Sequence, residues 1–177
     1  MVARASGIDI TKAGSGNPGA SNVARVLGWR KGVLVLTLDA AKGALAAGVG
    51  LLVADRAAAY ALGAAAILGH VFPMTRRLRG GKGVASGAGV MLVLHPLVSA
   101  ILGAVWFLIS HFTGKAAVAS LAIVAALPVG IALRGRPAWE VLATIAIGVL
   151  VMVRHIANVR RLWHRQELQV QRRQGHV

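Results

Sequence analysis

The 177-residue chain is 56% hydrophobic and 14% charged, where an ordinary soluble domain is about a quarter charged. It carries 20 Lys and Arg against 5 Asp and Glu, a net +15, and no cysteine, which excludes a thiol nucleophile, a disulfide and a cysteine metal site. Long apolar runs assign the positive charge to the loops of a membrane protein, not to the surface of a nucleic-acid binder, and no nucleic-acid partner is expected.

Residues 1–32 are polar, basic and glycine-rich, and Met1 to Lys12 lacks the apolar core of a signal peptide. Within them, a tight loop at Gly14, Gly16 and Gly19 leads into a short helix, expected to be capped by Ser21 or Asn22. Apolar runs follow at about 33–53, 57–74, 84–112, 116–133 and 139–153. The first carries Asp39 and Lys42, which share a helical face and can pair. The run 84–112 reads either as one tilted helix or as two spans, 84–94 and 97–112, turning at His95-Pro96, where proline disfavours helix through the residue before it. Charge decides between them. With the split, 16 of the 20 Lys and Arg fall on one side and only Arg56, Arg134 and Arg136 on the other, with Lys42 inside a span. Positively charged loops belong in the cytoplasm. The expectation is therefore an all-α polytopic membrane bundle of six visible spans. It forms one domain over 1–177, with a polar cytoplasmic tail at 164–177. His70, His95 and His111 fall at span ends, where interfacial roles are expected.

That topology brings three polar segments to the cytoplasmic side. The first holds Gly14, Ser15, Gly16, Asn17, Gly19, Asn22 and Arg25; the second Gly80, Gly81, Lys82 and Gly83; the third His155, Asn158, Arg160 and Arg161. Glycine amides that approach closely, together with Lys or Arg, are what a phosphate site needs. Taken singly, each segment has a plain reading. The G-x-G-x-x-G at Gly14, Gly16 and Gly19 has no preceding strand and is not a dinucleotide fingerprint, leaving an ordinary loop or a phosphate cradle. Gly80 to Gly83 is not a Walker A loop, and reads as a basic turn or as a frame for Lys82 as phosphate ligand. His155 and Asn158 lie on one helical face, as a helix-end pair or a catalytic one. No H-E-x-x-H, G-x-S-x-G or His-x-x-x-x-Asp box is present. With five acids in all, paired-carboxylate chemistry is not expected.

In order along about 7–167, these segments resemble the three motifs of the acyl-phosphate-dependent glycerol-3-phosphate acyltransferases of bacteria, the PlsY family. Gly69-His-Val-Phe-Pro73 leads into the second motif, Glu167 follows the third, and Leu38-Asp-Ala-Ala-Lys-Gly43 is also similar to the family. The resemblance implies a seven-helix membrane fold with its active site near the cytoplasmic face of the bacterial inner membrane, open to lipid. It implies acyl phosphate and glycerol 3-phosphate as substrates, lysophosphatidic acid and phosphate as products, and no metal or organic cofactor. By the same carry-over His155, Asn158 and Ser15 serve catalysis, while Arg25, Lys82, Gly80, Gly81, Gly83, Asn17 and Asn22 bind phosphate. His155 would act as general base or as a hydrogen-bonding partner while a substrate phosphate takes the proton.

Four departures are visible. The family begins with a further helix ending just before Gly7, whereas only Met1 to Ser6 stand there, so a first helix is expected to be missing. Ser21 and Ser86 stand where the family usually has Thr, and Arg165 where it often has Gly. Ala117 stands where it tends to have Ser; Ser120, one turn later, either substitutes for it or plays no such part. The competing class is a non-catalytic membrane protein, a small transporter or scaffold, with no dependence on Lys82 or His155.

Overall fold

The computed structural model describes residues 2–170. Its first helix, α1 (Val2–Ala5), is a single turn. A loop then leads to α2 (Ala20–Leu27). The cap of α2 is the backbone of Gly19, and neither Ser21 nor Asn22 fills that place. Asn22 instead sits inside the helix and reaches back into the loop, with its Oδ1 accepting from the Ser15 amide at 2.8 Å.

The long helix α3 (Trp29–Val53) starts four residues before its apolar run, at Trp29, because its first turn packs on α2. A Cβ at Gly32 would lie 2.4 Å from that of Ala24. Further along α3, small residues let other helices touch its backbone. A Cβ at Gly43 would lie 2.1 Å from the Ser86 carbonyl oxygen, and one at Gly89 would lie 1.9 Å from that of Ala40. Lipid tails are as apolar as leucine, so membrane helices associate through close packing at such small-residue faces. The helix crossed in this way is α5 (Val84–Leu94). Between them in sequence, α4 (Arg56–Val71) is capped by Asp55, whose carboxylate accepts from the Ala58 amide at 2.9 Å.

The chain does break at His95-Pro96. The His95 amide closes α5 on Met91 O, and Pro96 opens α6 (Pro96–Thr113) at the one helical position where its missing N–H costs nothing. Gly114 ends α6, then α7 (Ala116–Leu133) and α8 (Ala138–Val153) follow. After a 57° bend comes α9 (Ile156–Trp163).

Four of these helices, α3, α4, α6 and α7, are long and apolar enough to cross a membrane, and α8 with α9 makes a bent fifth. With its 11 residues α5 is about 16 Å long, half a hydrocarbon core. An extended strap at residues 80–83 precedes it. It runs beside the end of α4, with Gly80 and Gly81 amides donating to Val71 O and His70 O. Across the molecule, Ala47, Ala59, Tyr60, Ile67, Val71, Val90, Met91, Leu94 and Ile131 form the core. Leu45, Leu52, Phe107 and Leu133 are exposed, as side chains facing acyl chains should be.

The connections gather at two ends. At one, the far end, Glu140 is buried and receives both Arg56 (Nη2 to Oε2, 2.7 Å) and Arg136 (Nη2 to Oε1, 2.7 Å). Tyr60 Oη donates to the same carboxylate at 3.3 Å. His95 lies 2.7 Å from that hydroxyl and 3.1 Å from Glu140 Oε2. His95 is thus a buried member of this cluster and not an interfacial residue, whereas His111 is exposed and stacked on Phe107. The other end, the near end, holds the three polar segments.

Candidate functional site

The second segment forms the floor of the site. Its glycines are dictated by contact: a Cβ at Gly80 would lie 2.0 Å from His70 O, and one at Gly81 would lie 1.9 Å from His70 Nε2. Gly83 turns the strap into α5 at φ +87°, a conformation that other residues rarely adopt. This arrangement fixes Lys82 between the glycines and aims it at the third segment. Lys82 Nζ donates to Asn158 Oδ1 at 2.5 Å. Asn158 Nδ2 in turn donates to Glu167 Oε1 at 2.6 Å, and Arg161 Nε to Glu167 Oε2 at 3.0 Å. Behind the strap, His70 also lies 2.7 Å from Lys42 Nζ, which pairs with Asp39 at 2.7 Å.

His155 stands at the bend between α8 and α9, almost fully buried. Its Nδ1 faces Val151 O at 2.8 Å and must donate there, which leaves Nε2 as a lone-pair acceptor. Protonated at Nδ1 and open at Nε2, the imidazole is the neutral tautomer.

The first segment closes the site from the side. Asn22 Nδ2 donates to Ala13 O at 2.9 Å, while Asn22 Oδ1 accepts from Arg25 Nη1 at 3.0 Å as well as from Ser15. Arg25 also reaches the strand of chain after α9, with Nε donating to Gln169 O at 3.0 Å. The Val170 amide donates to Gly114 O, so residues 164–170 of the expected tail fold back onto the bundle. Residues 171–177 of that tail lie outside the described residues. Ser15 and Asn17 line a cleft of about 300 Å³ with Thr11, Gly16, Pro18, Arg79, Gly80 and Arg154. Asn17 Oδ1 accepts from the Gly19 amide and stiffens the loop.

Cations dominate this end. Arg25, Arg154 and Arg161 all act on Lys82, opposed by the single carboxylate of Glu167. Burial is the larger cause and repulsion the lesser in bringing Lys82 down to about 8. Arg25 is lowered too, chiefly by burial, with Glu167 opposing. Among the described residues no three His, Asp or Glu cluster to hold a metal ion. A pocket with cations in excess, a neutral imidazole acceptor and glycine-framed backbone suits a phosphate dianion.

The structure thus bonds Lys82 to Asn158, and Arg25 to Asn22 and Asn22 to Ser15; the stretch 167–169 links the two sets, through Glu167 on Asn158 and Gln169 O on Arg25, with His155 beside Lys82. Arg154 went unread in the sequence except as one more loop cation, although its place next to His155 was the available signal. Ser120 takes no part: its hydroxyl accepts from Trp106 Nε1 at 3.0 Å and joins α6 to α7.

Residues 1–165 match the model of a family described as glycerol-3-phosphate acyltransferase. A glycerol-3-phosphate acyltransferase of Bacillus cytotoxicus is 37% identical over 161 residues, which cover 91% of this chain and 81% of the relative. Two crystal structures of PlsY, an integral membrane glycerol 3-phosphate acyltransferase, are similar at 34% identity. One is the glycerol 3-phosphate form, with TM-score 0.87, and the other the lysophosphatidic acid form, with TM-score 0.88. Each covers 95% of this chain and 85% of its own. The chain is a multi-pass helical membrane protein, and it belongs to the glycerol-3-phosphate acyltransferase family.

Proposed function

We propose that the chain transfers a fatty acyl group from acyl phosphate to the sn-1 hydroxyl of glycerol 3-phosphate, on the cytoplasmic side of the bacterial inner membrane. Family membership supports the acyltransferase class. The observation that carries the reading to this site is Lys82 fixed on Asn158 beside a neutral His155, under four cations balanced by one carboxylate.

The chemistry asks little of the protein. Acyl phosphate is an activated mixed anhydride. The glycerol oxygen attacks the carbonyl carbon, the carbon–oxygen bond to phosphate breaks, and phosphate leaves with the electron pair. The hydroxyl proton ends on phosphate. The protein positions the two partners and stabilises the growing negative charge. Lys82 and Arg25 hold phosphate oxygens. His155 Nε2 orients the hydroxyl as an acceptor; buried and with Nδ1 committed to Val151 O, it has no partner to stabilise an imidazolium, which favours a substrate phosphate as the base.

The test is acyl transfer to labelled glycerol 3-phosphate in membranes holding this chain, with palmitoyl phosphate, palmitoyl-CoA or acylated carrier protein as donor. Lysophosphatidic acid formed from the acyl phosphate alone is the expected result. Product from the thioesters alone, or no product from a folded and inserted chain, would overturn the reading.

A further inference from the structure

The reaction just proposed brings two phosphate-bearing molecules together, and the inference below rests on that reading. Two dianions held close enough to react repel each other unless each has its own cations. Lys82 provides for one. Its ammonium donates to Asn158, and it does not line the cleft of about 300 Å³ beside the strap.

That cleft has cations of its own. Arg154 enters it from the end of α8, and Arg79 from the chain just before the strap. The guanidinium of Arg154 is aimed by two contacts, Nη2 on Gly80 O at 3.3 Å and the face of Phe72 at 5.8 Å. Among the described residues no carboxylate lies within 4 Å of it, and its buried Nε–H has no acceptor. A buried donor without a partner is uncommon in a native fold and asks what completes it. Opposite stand the polar groups of Ser15 and Asn17. Asn22 connects the cleft to the Lys82 set, because its Oδ1 accepts from both the Ser15 amide and Arg25.

We propose that this cleft is a second phosphate subsite, in which Arg154 and Arg79 hold the phosphate of one substrate while Lys82 and Arg25 hold the other. Its ligand chemistry is a phosphate monoester or acyl phosphate dianion. The fork of Arg154 donates to two oxygens, Arg79 closes over the opening, and Ser15 faces the same group. Both substrates carry that chemistry, and the experiment separates them.

The full chain in detergent is titrated calorimetrically with glycerol 3-phosphate, and with inorganic phosphate at saturating glycerol 3-phosphate. KM for each substrate is measured in parallel. The wild type is expected to bind both ligands at once. Arg154→Ala should weaken one ligand at least tenfold and leave the other within threefold, Arg79→Ala should weaken the same ligand less, and Arg154→Lys should recover part of the loss. Weakened inorganic phosphate with a raised KM for acyl phosphate assigns the cleft to the donor, and weakened glycerol 3-phosphate assigns it to the acceptor. Competition between the two ligands in the wild type overturns the proposal. So does an Arg154→Ala variant with both affinities within twofold of wild type, or with both weakened equally. Should that variant fail to fold, Arg79→Ala and Arg154→Lys decide by the same criteria. A wild type that binds both ligands together but forms no lysophosphatidic acid from any donor sinks the transfer reading and leaves the subsite standing.

Discussion

At the far end of the bundle, two arginines close on one buried carboxylate; at the near end, four cations share one. Glu140 is about 1% exposed in its side chain, and each of its oxygens accepts from an arginine, while a tyrosine and a histidine complete the shell. Nothing there calls for a ligand. The cluster ties the start of α4 to the start of α8 and to the α5–α6 turn, where Arg56 also donates to Leu94 O. It further accounts for two of the three arginines on the side that positive charge should avoid, since each is paired internally. The near end has spent its one nearby carboxylate, Glu167, on Arg161 and Asn158. Lys82, Arg25 and Arg154 are left in a partly buried place with no charge of their own to meet. Self-satisfied charge marks a structural joint, and unsatisfied charge of one sign marks a binding site.

If that contrast is right, substitutions at the two ends should separate stability from catalysis. The largest effect belongs to Glu140→Gln. Removing one member of a buried ion network leaves the others uncompensated, a loss of about 3 kcal/mol in folding stability. Unfolding in detergent would register this as a lower midpoint, while the folded fraction keeps wild-type KM for glycerol 3-phosphate. A raised KM would show that the far end reaches the site.

Lys82→Ala should do the reverse. Losing a charged contact to phosphate costs about 1.5–3 kcal/mol, or roughly 10- to 150-fold in kcat/KM. The unfolding midpoint should stay unchanged or rise, because the variant removes a buried ammonium surrounded by other cations. Wild-type activity in membranes would remove Lys82 from the site.

The pH profile sharpens the same point. Lys82 has a pKa of about 8 in the empty site, so it is charged at pH 7 and loses that charge as pH rises through 8. Phosphate binding raises the pKa again, and above pH 8 binding must take up a proton. Affinity for the phosphate substrate should therefore fall about tenfold between pH 7 and pH 9. Lys82→Arg should abolish that limb, because arginine stays charged throughout. His155, buried with Nδ1 on Val151 O and a substrate phosphate taking the proton, should contribute no limb between pH 5 and 9, and His155→Gln should lower the rate without reshaping the profile. A limb near pH 6–7 that vanished in this variant would restore His155 as the general base.

The smallest effect lies at the far end again. Asp55→Ala removes the cap hydrogen bond to the Ala58 amide and should cost about 1 kcal/mol of stability. Transfer kinetics should not change, and a change would blur the division between the ends.

Particular residues show what was legible in advance. The break at His95-Pro96 could be read because proline cannot continue a helix from behind and because a second span restores the charge balance. Lys82, Asn158 and Arg25 could be read as a group because parity of the spans brings their segments to one end. His95 could not: its sequence neighbours put it at a span end, but its partners Tyr60 and Glu140 lie 35 and 45 residues away along the chain. Asn22 was read as a cap, whereas its bonds to Ser15 and Arg25 depend on how the loop before it closes.

The sequence by itself determined that this is a helical membrane protein, where its spans divide, which side gathers the positive charge, and which three polar segments meet at one end. Those properties follow from local quantities: apolar length, proline and glycine placement, and the sum of loop charges. Only the tertiary structure decided which charges are already paired. Glu140 takes two arginines and Glu167 one, and that allocation rests on distances between helices far apart in the chain. The same distances leave Lys82 on Asn158 and Arg154 on the Gly80 carbonyl, each without a carboxylate within salt-bridge reach among the described residues.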